Sequence, residues 1–156
     1  MNKISQILVV LLLATVANNG FADTGDCQGK TTLSIKNKLL TVEVADTERE
    51  RRYGLMFRST MGTDCGMLFV FQNTGVRTFT MRNTLIPLDI AFISAGGEIK
   101  EIFTMQPGVL RYPSKVESDY ALEMNAGWFK ANELMVGDTI AVLQDDIITS
   151  LDKIKE

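Results

Sequence analysis

The chain has 156 residues, 46% of them hydrophobic, a net charge of −3 and no histidine. An acidic chain without a basic stripe is a poor partner for nucleic acid or for an anionic membrane surface. The absence of histidine excludes Ser-His-Asp and Cys-His catalysis and every histidine-based metal site. The side chains left for chemistry are carboxylates, Lys, Tyr, Ser, Thr and Met. We expect no cofactor and no bound metal.

The first 22 residues have the pattern of a secretory signal peptide. Lys3 supplies a positive charge, residues 7–17 form an uncharged apolar run, and Gly20 and Ala22 are small residues at the cleavage positions. The apolar run is too short to span a bilayer. We therefore expect a periplasmic or secreted protein with no stable membrane span after cleavage, and an uncleaved anchor is the alternative.

The rest of the chain predicts one domain. Removal of residues 1–22 would leave 134 residues, a length that suits a single hydrophobic core. We place a single β-sandwich domain at residues 23–144 and a loosely ordered C-terminal tail at residues 145–156, because the tail is polar with only a weak helical pattern. We expect a monomer.

The two cysteines of the chain predict a disulfide. In an oxidising compartment an even number of cysteines favours pairing, so Cys27 and Cys65 should be bonded. The alternative is a pair of thiols with a redox or metal function, but the two residues lack the Cys-x-x-Cys spacing typical of such sites.

The first predicted elements after the signal are two strands and a helix. Residues 31–36 and 39–45 alternate between apolar and polar positions, as half-buried strands do. The period then changes, and Thr47 followed three residues later by Glu50 has the form of a capping box. We predict one short helix over about residues 47–53.

The remainder of the chain reads as short strands separated by turns rich in glycine. The predicted strands cover residues 67–71, 77–82, 88–93, 98–105, 120–124 and 139–144. This pattern predicts a mostly-β fold, namely a compact antiparallel β-sandwich or a jelly-roll-like barrel with one short helix. Periodicity does not distinguish the sandwich from the barrel.

A carboxylate inside an apolar strand marks the first candidate site. Asp89 lies within the run LDIAFI, residues 88–93, and both faces of that strand are apolar. A buried carboxylate needs donors, or its pKa rises and it becomes neutral. If the neighbouring strands pair across the loop between them, Arg82 lies opposite Asp89, with Asn83 at the loop tip.

Glu123 and Arg58 are a second acid and a second basic residue beside apolar segments. The four charged residues allow two interpretations. Glu123 lies in a predicted strand, and Arg58 follows an apolar segment. In the first interpretation, Arg82–Asp89 and Arg58–Glu123 are structural ion pairs. In the second, one polar ligand-binding pocket is formed by Arg82, Asn83, Asp89 and Glu123, with Arg58 behind them.

Several blocks of the chain resemble the domain-of-unknown-function 192 family. They occur in order between about Leu39 and Val142, and the central block MRNTLIPLDIAFI is the most specific. The blocks are residues 42–47, 54–58, 66–71, 81–93, 112–114, 122–129 and 136–138. The resemblance implies a compact jelly-roll-like β-sandwich with a short helix, and it implies no activity. It makes the block 81–89 and Glu123 hallmarks of the family, where we expect a site.

The sequence departs from the pattern of that family at two positions. The resemblance implies Trp where Thr80 stands and often Lys where Arg82 stands. An arginine keeps the charge but presents a planar fork instead of a point charge. The absence of a Trp removes a large flat surface on which a ligand could stack.

Three functional hypotheses follow. The first is an exported module that binds a small polar ligand, such as a saccharide or an envelope component. The second is a carboxylate-dependent hydrolase in which Asp89 and Glu123 are the catalytic residues, which requires the two groups to flank one pocket. The third is a structural or partner-binding envelope protein. Copper binding is a lesser alternative, because the methionines are scattered singly, as core-filling residues are.

Overall fold

A computed structural model describes residues 27–29, 31–145 and 147–155, and the predicted signal peptide lies outside them. The described residues form a mostly-β fold with short helices. The strands are β1 (Thr31–Ile35), β2 (Lys38–Ala45), β3 (Cys65–Thr80), β4 (Leu88–Ile93), β5 (Ile99–Met105), β6 (Arg111–Asn125), β7 (Ile140–Gln144) and β8 (Ile147–Thr149). The helices are α1 (Glu48–Tyr53), α2 (Trp128–Ala131) and a 3-10 helix, η1 (Leu151–Lys155).

The eight strands form one sheet in the order β5-β4-β6-β3-β2-β1-β7-β8. The mostly-β prediction is confirmed, and the sheet is not closed into a barrel. The strand pairs are antiparallel, as predicted, except for β2 and β3, which run parallel. A parallel pair needs a crossover connection, and the segment containing α1 provides it.

The predicted short helix is present as α1. Thr47 is its N-cap and accepts a hydrogen bond from the backbone N–H of Glu50, while the carboxylate of Glu50 accepts one from the backbone N–H of Thr47. This reciprocal capping box satisfies two of the N–H groups that a helix start leaves unpaired. The side chain of Arg51 then fastens the helix to the sheet by donating to the carbonyl of Val70, 2.9 Å away.

Strands β3 and β6 are longer than the sequence pattern predicts. Residues 72–76, which separate two of the predicted strands, lie inside β3, and residues 106–119, which separate two others, contain the first half of β6. The pairing of the two strands shifts register between Val70 and Gly75. Such bulges add a local bend and twist to a strand without ending it.

The bend of β3 folds the strand over its own beginning. The rings of Phe69 and Phe79 contact each other edge to face with centroids 5.0 Å apart. Ten residues of straight strand would separate these side chains by roughly 33 Å. The far half of the β3–β6 ribbon therefore lies as a second layer over the sheet, which produces the sandwich-like form.

Apolar side chains fill both sides of the central strands. One core contains Leu122 and Met124 of β6 together with Trp128 of α2. The other lies under the folded ribbon and contains Phe69, Ile90 and neighbouring residues. The sheet also curls, because the β4–β5 turn contacts the segment before β7: the carbonyl of Gly97 accepts from the N–H of Ile140 at 2.8 Å.

The predicted disulfide is present. Cys27 and Cys65 are bonded with their Cα atoms 5.3 Å apart, and the bond joins residue 27 to the first residue of β3. Among the described residues no cysteine is free.

The tail over residues 145–156, which the sequence predicts to be loosely ordered, is attached to the domain over its described part. Strand β8 pairs with β7, and Leu151 of η1 is fully buried. The hydroxyl of Tyr120 donates to a carboxylate oxygen of Asp152 at 2.7 Å. The sequence pattern is weak because the segment presents only a few apolar residues to the core.

We expect reduction of the Cys27–Cys65 bond to lower the free energy of unfolding by about 3–4 kcal/mol, because the bond closes a loop with a sequence separation of 38 residues. Urea denaturation with and without reductant measures the change. The double variant Cys27→Ser, Cys65→Ser should have the same free energy of unfolding as the reduced protein, and reductant should not change it. An unchanged unfolding midpoint on reduction would contradict the prediction.

Candidate functional site

Glu123 lies at the deep end of a cavity under the folded ribbon. Its strand, β6, pairs with β3 and β4, so Glu123 has Met67 and Ile90 as neighbours across the sheet. Only 5% of the residue is exposed. It helps to line a cavity of about 440 Å³, and no hydrogen bond joins its carboxyl group to another residue in the described part of the chain.

The cavity has one wall from the crossover and one from the ribbon. The side nearer the sheet includes Phe69 and Leu55, and the mouth is lined by polar and charged residues. The crossover contributes Glu48, Arg51, Arg52, Tyr53, Gly54 and Met56; the ribbon contributes Phe71, Arg77, Thr78, Phe79 and Thr80; and the block 81–89 contributes Thr84. The site therefore combines aromatic surface, guanidinium groups and one buried carboxyl group.

The backbone conformation at the end of α1 requires a glycine. Gly54 ends α1 with φ +49°, in the left-handed region. A Cβ atom at this position would lie 3.4 Å from the Cζ atom of Phe69. The glycine allows the turn after α1 to pass beside the aromatic wall at a conformation that L side chains rarely adopt.

Burial changes the acid–base behaviour of Glu123. Removal from water raises the pKa of the Glu123 carboxyl group from 4.5 to about 8, because desolvation disfavours the charged form. At neutral pH the group is mostly protonated, so it can donate as well as accept a hydrogen bond. A neutral carboxyl group in a cavity is a typical feature of binding and catalytic sites.

Two arginines surround one aromatic ring at the mouth. The guanidinium carbon of Arg77 lies 4.0 Å from the centroid of the Phe71 ring, and that of Arg51 lies 6.0 Å from the same centroid. Burial lowers the pKa of Arg77, the charge of Arg51 lowers it further, and Asp119 opposes both effects. The mouth is thus a region of concentrated positive charge.

Asp89 lies on the other side of the sheet, with its hydrogen bonds satisfied. One carboxylate oxygen accepts from the hydroxyl of Thr104 at 2.6 Å, and the other accepts from the backbone N–H of Gly127, the N-cap of α2, at 2.8 Å. Its register partners are Thr104 in β5 and Met124 in β6. Asp89 therefore fixes α2 to the sheet.

Asp89 and Glu123 do not share a pocket. Asp89 is opposite Met124, one position along β6 from Glu123, and successive side chains of a strand point to opposite faces. The sheet lies between the two carboxyl groups. The paired arrangement that the hydrolase hypothesis requires is therefore not formed.

The predicted pair of Arg82 and Asp89 is wrong. The segment before Arg82 belongs to β3, which pairs with β2 and β6, whereas β4 pairs with β5 and β6. Arg82 and Asn83 are both exposed, and no described carboxylate lies within ion-pair distance of the Arg82 guanidinium. Asn83 has φ +61° and accepts from the N–H of Phe57 through its carbonyl, so it shapes a turn.

The predicted pair of Arg58 and Glu123 is also wrong. Arg58 instead forms a two-pronged ion pair with Glu43 of β2, with N–O distances of 2.5 and 2.6 Å. Glu43 and Glu123 lie in one row on either side of Met67. Arg58 is held at the nearer acid, and Glu123 is left without a cationic partner.

Of the predicted site residues, the cavity includes only Glu123, and sequence reasoning missed most of its surroundings. Arg51, Arg77, Phe71 and Phe79 come together because β3 folds back, which a period-two pattern does not report. The available signal was that Phe69, Phe71, Arg77 and Phe79 all stand at odd positions, on either side of the gap between two predicted strands. In the described part of the chain, no group of three or more Cys, Asp or Glu side chains is arranged to hold a metal ion.

The chain belongs to the domain-of-unknown-function 192 family (DUF192, described as "Uncharacterized ACR"), whose sequence profile matches residues 31–142. The match spans all strands from β1 to the middle of β7 and includes Glu123 and the walls of the cavity. A comparison with curated proteins found no match.

Two solved structures share the fold at appreciable identity. A protein from Sinorhizobium meliloti 1021, described as a candidate transcription regulator, is 34% identical with a TM-score of 0.70, and the alignment covers 72% of this chain and 92% of that one. A protein of unknown function from Novosphingobium aromaticivorans DSM 12444 is 30% identical with a TM-score of 0.66, over 70% of this chain and 82% of the other.

Replacing Asp89 by Ala should lower the free energy of unfolding by about 2–3 kcal/mol, because two donors lose their acceptor. Asp89→Asn should cost less, since the amide oxygen can still accept one of these bonds. Arg82→Gln is the matched control and should stay within about 0.5 kcal/mol of the wild type. An Arg82→Gln loss as large as that of Asp89→Ala would contradict the prediction, and the double variant would then show whether the two side chains interact.

The Glu123→Gln variant should change how stability depends on pH. The folded-state pKa of Glu123 is raised, so its contribution is fully present below pH 4.5 and is lost as pH rises through 8. Relative to Glu123→Gln, the wild type should lose up to about 1.4 kcal/mol per pH unit in that window. Urea denaturation of both proteins from pH 4 to 9 measures the difference, and parallel profiles would contradict it.

Proposed function

We propose that this protein is a periplasmic or secreted binding module that takes up a small organic molecule in the Glu123 cavity. The observation that carries the proposal is that Glu123, a residue only 5% exposed, lines a cavity and has no hydrogen-bonding partner for its carboxyl group among the described residues. A buried polar group without a partner costs roughly 1–3 kcal/mol. A ligand with a hydroxyl, amide or carbonyl group would recover that cost by bonding to Glu123.

The composition of the walls supports the same conclusion. Ligand pockets combine mainly apolar and aromatic lining with a few polar groups that fix orientation. Here Phe69 and Phe79 supply aromatic surface, Leu55 supplies aliphatic surface, and Thr84 lies with Glu123 as a polar group. A volume of about 440 Å³ falls in the usual range for small-molecule sites.

The proposed ligand has a flat or apolar body and at least one uncharged polar group. A saccharide meets this description, because its ring can stack on an aromatic side chain while its hydroxyls bond to a carboxyl group. The proposal favours binding over hydrolysis, since Asp89 lies on the other face of the sheet from Glu123.

The proposed location outside the cytoplasm is supported by the disulfide between Cys27 and Cys65, because such bonds persist in oxidising compartments. The sequence pattern of residues 1–22 agrees with export. Among the described residues, none of the helices has the length and apolar character needed to cross a bilayer.

A thermal-shift screen of the oxidised protein tests the proposal. The library should contain monosaccharides, aromatic alcohols and amides, and fragments of cell-wall polymers. A ligand at one hundred times its Kd should stabilise the protein by about 2.7 kcal/mol, a shift of several degrees at this size. We expect the shift to survive in Glu123→Gln, which keeps a donor and an acceptor, and to disappear in Glu123→Met.

The control is Glu117→Met, an exposed acid on the same strand, which should respond like the wild type. A hit that persists in Glu123→Met would place binding elsewhere on the protein. No hit for any compound would contradict the proposal and favour a structural or partner-binding role.

A further inference from the structure

We propose that the cavity binds an organic acid, whose carboxylate lies between Arg51 and Arg77 and whose apolar body lies against Phe69 and Phe79. This inference rests on the proposed binding function, and it adds the chemical class of the ligand. It also adds a second polar contact region, at the mouth, separate from the buried carboxyl group of Glu123.

The first observation is that Arg77 lacks a carboxylate partner. Its guanidinium Nη2 donates to the carbonyl and the side-chain oxygen of Asn73 and, at 3.3 Å, to the carbonyl of Ser118. Its Nε–H is buried and has no hydrogen-bonding partner. In the described part of the chain, no acidic side chain lies within ion-pair distance of Arg77.

The acid whose charge acts on Arg77 is already engaged by other residues. Asp119 raises the pKa of Arg77 from a distance, but one of its oxygens accepts a hydrogen bond from Thr74 at 2.9 Å. The same oxygen lies 3.9 Å from the ammonium group of Lys155. The charge of Arg77 is therefore only partly compensated by the protein.

Arg51 is the second uncompensated cation at the same ring. Its Nη1 donates to the backbone carbonyls of Val70 and Asp46, which are neutral acceptors. These bonds hold the guanidinium beside the cavity mouth without neutralising it. The remaining charged residues at the mouth, Arg52 and Glu48, form an exposed ion pair within α1, so their charges balance each other.

The protein only partly balances the charges of Arg51 and Arg77. Two like charges around one half-buried ring repel each other, and the chain places them there with carbonyl partners only. A carboxylate accepts hydrogen bonds from two guanidinium groups readily, in the planar geometry that arginine favours. The acid headgroup therefore complements the mouth, while the aromatic walls and the neutral Glu123 receive the uncharged part of the molecule.

Matched compounds that differ only in the headgroup test the inference. Isothermal titration at pH 7 and low salt would use 3-phenylpropanoate, cyclohexanecarboxylate and hexanoate, each beside its primary amide and its primary amine. We expect at least one acid to bind about tenfold or more tightly than its amide, because hydrogen bonds to charged groups are the stronger kind. Its amine should bind more weakly than the amide.

Variants of Arg51 in α1 and Arg77 in β3 test whether these two residues cause the preference for the acid. In Arg77→Met and in Arg51→Gln the preference for the acid over the amide should fall severalfold, whereas the affinity for the amide should stay nearly constant. Arg77→Lys should restore part of the preference by restoring the charge. The matched control is Arg49→Gln, an exposed arginine of α1 outside this cavity, which should keep the full preference.

The outcomes separate the inference from the function on which it rests. Equal binding of acid and amide would overturn the inference that the ligand is an acid, and so would a preference for the acid that persists in both arginine variants. In either case the proposed function would still hold if binding were lost in Glu123→Met. An amine that binds most tightly would also overturn it and indicate that Glu123 binds as a carboxylate. If none of the nine compounds binds, the inference is overturned, whereas the proposed function is decided by the thermal-shift screen described above.

Discussion

The sharp bend in β3 is the constraint on which the rest of the structure depends. Contact between Phe69 and Phe79 requires a strand of 16 residues to fold back on itself. The bend converts one sheet into two layers, and it encloses the space between the ribbon and the central strands. Without it, the aromatic wall, the two arginines around Phe71 and the buried end of Glu123 would lie on an open sheet surface.

The two buried carboxyl groups show how the same residue type acquires different properties from its donors. Asp89 accepts hydrogen bonds from a hydroxyl and a backbone N–H, and it fixes α2 in place. Glu123 receives no such donor from the described residues, and it lines a space large enough for a ligand. A fold can place an acid in its interior for stability or for binding, and the partners of the acid distinguish the two cases.

The sequence predicts the elements better than it predicts their neighbours. The capping box of α1, the strand at LDIAFI and the disulfide follow from local signals or from simple counting. The pairing of β4 with β6 instead of β3 cannot be predicted from local signals, because it depends on which strands meet after a long-range chain reversal. The expected ion pairs of Arg82 and Arg58 failed for this reason, since each prediction assumed a neighbour that lies elsewhere in the sheet.

The same limit applies to the site. Glu123 could be selected from the sequence as an acid in a strand whose alternate positions are apolar. The cavity that Glu123 lines could not be predicted from the sequence, because the register shift between Val70 and Gly75 determines the position of the far half of β3. A turn and a bulge use similar residues, so the run QNTG predicts either one, and only the pairing with β6 separates them.

The pairing of β1 with β7 has a consequence for how the chain reaches this structure. Thr32 is opposite Leu143, so the first strand of the domain has one of its two neighbours near the end of the chain. As the chain is synthesised from its N-terminus, β1 keeps an open edge until residues 140–144 have emerged. Contacts so distant in sequence form slowly, and an open strand edge invites pairing with other chains. Strand β7 therefore completes the sheet at β1. Until β7 has been synthesised, the open edge of β1 must be protected from pairing with other chains.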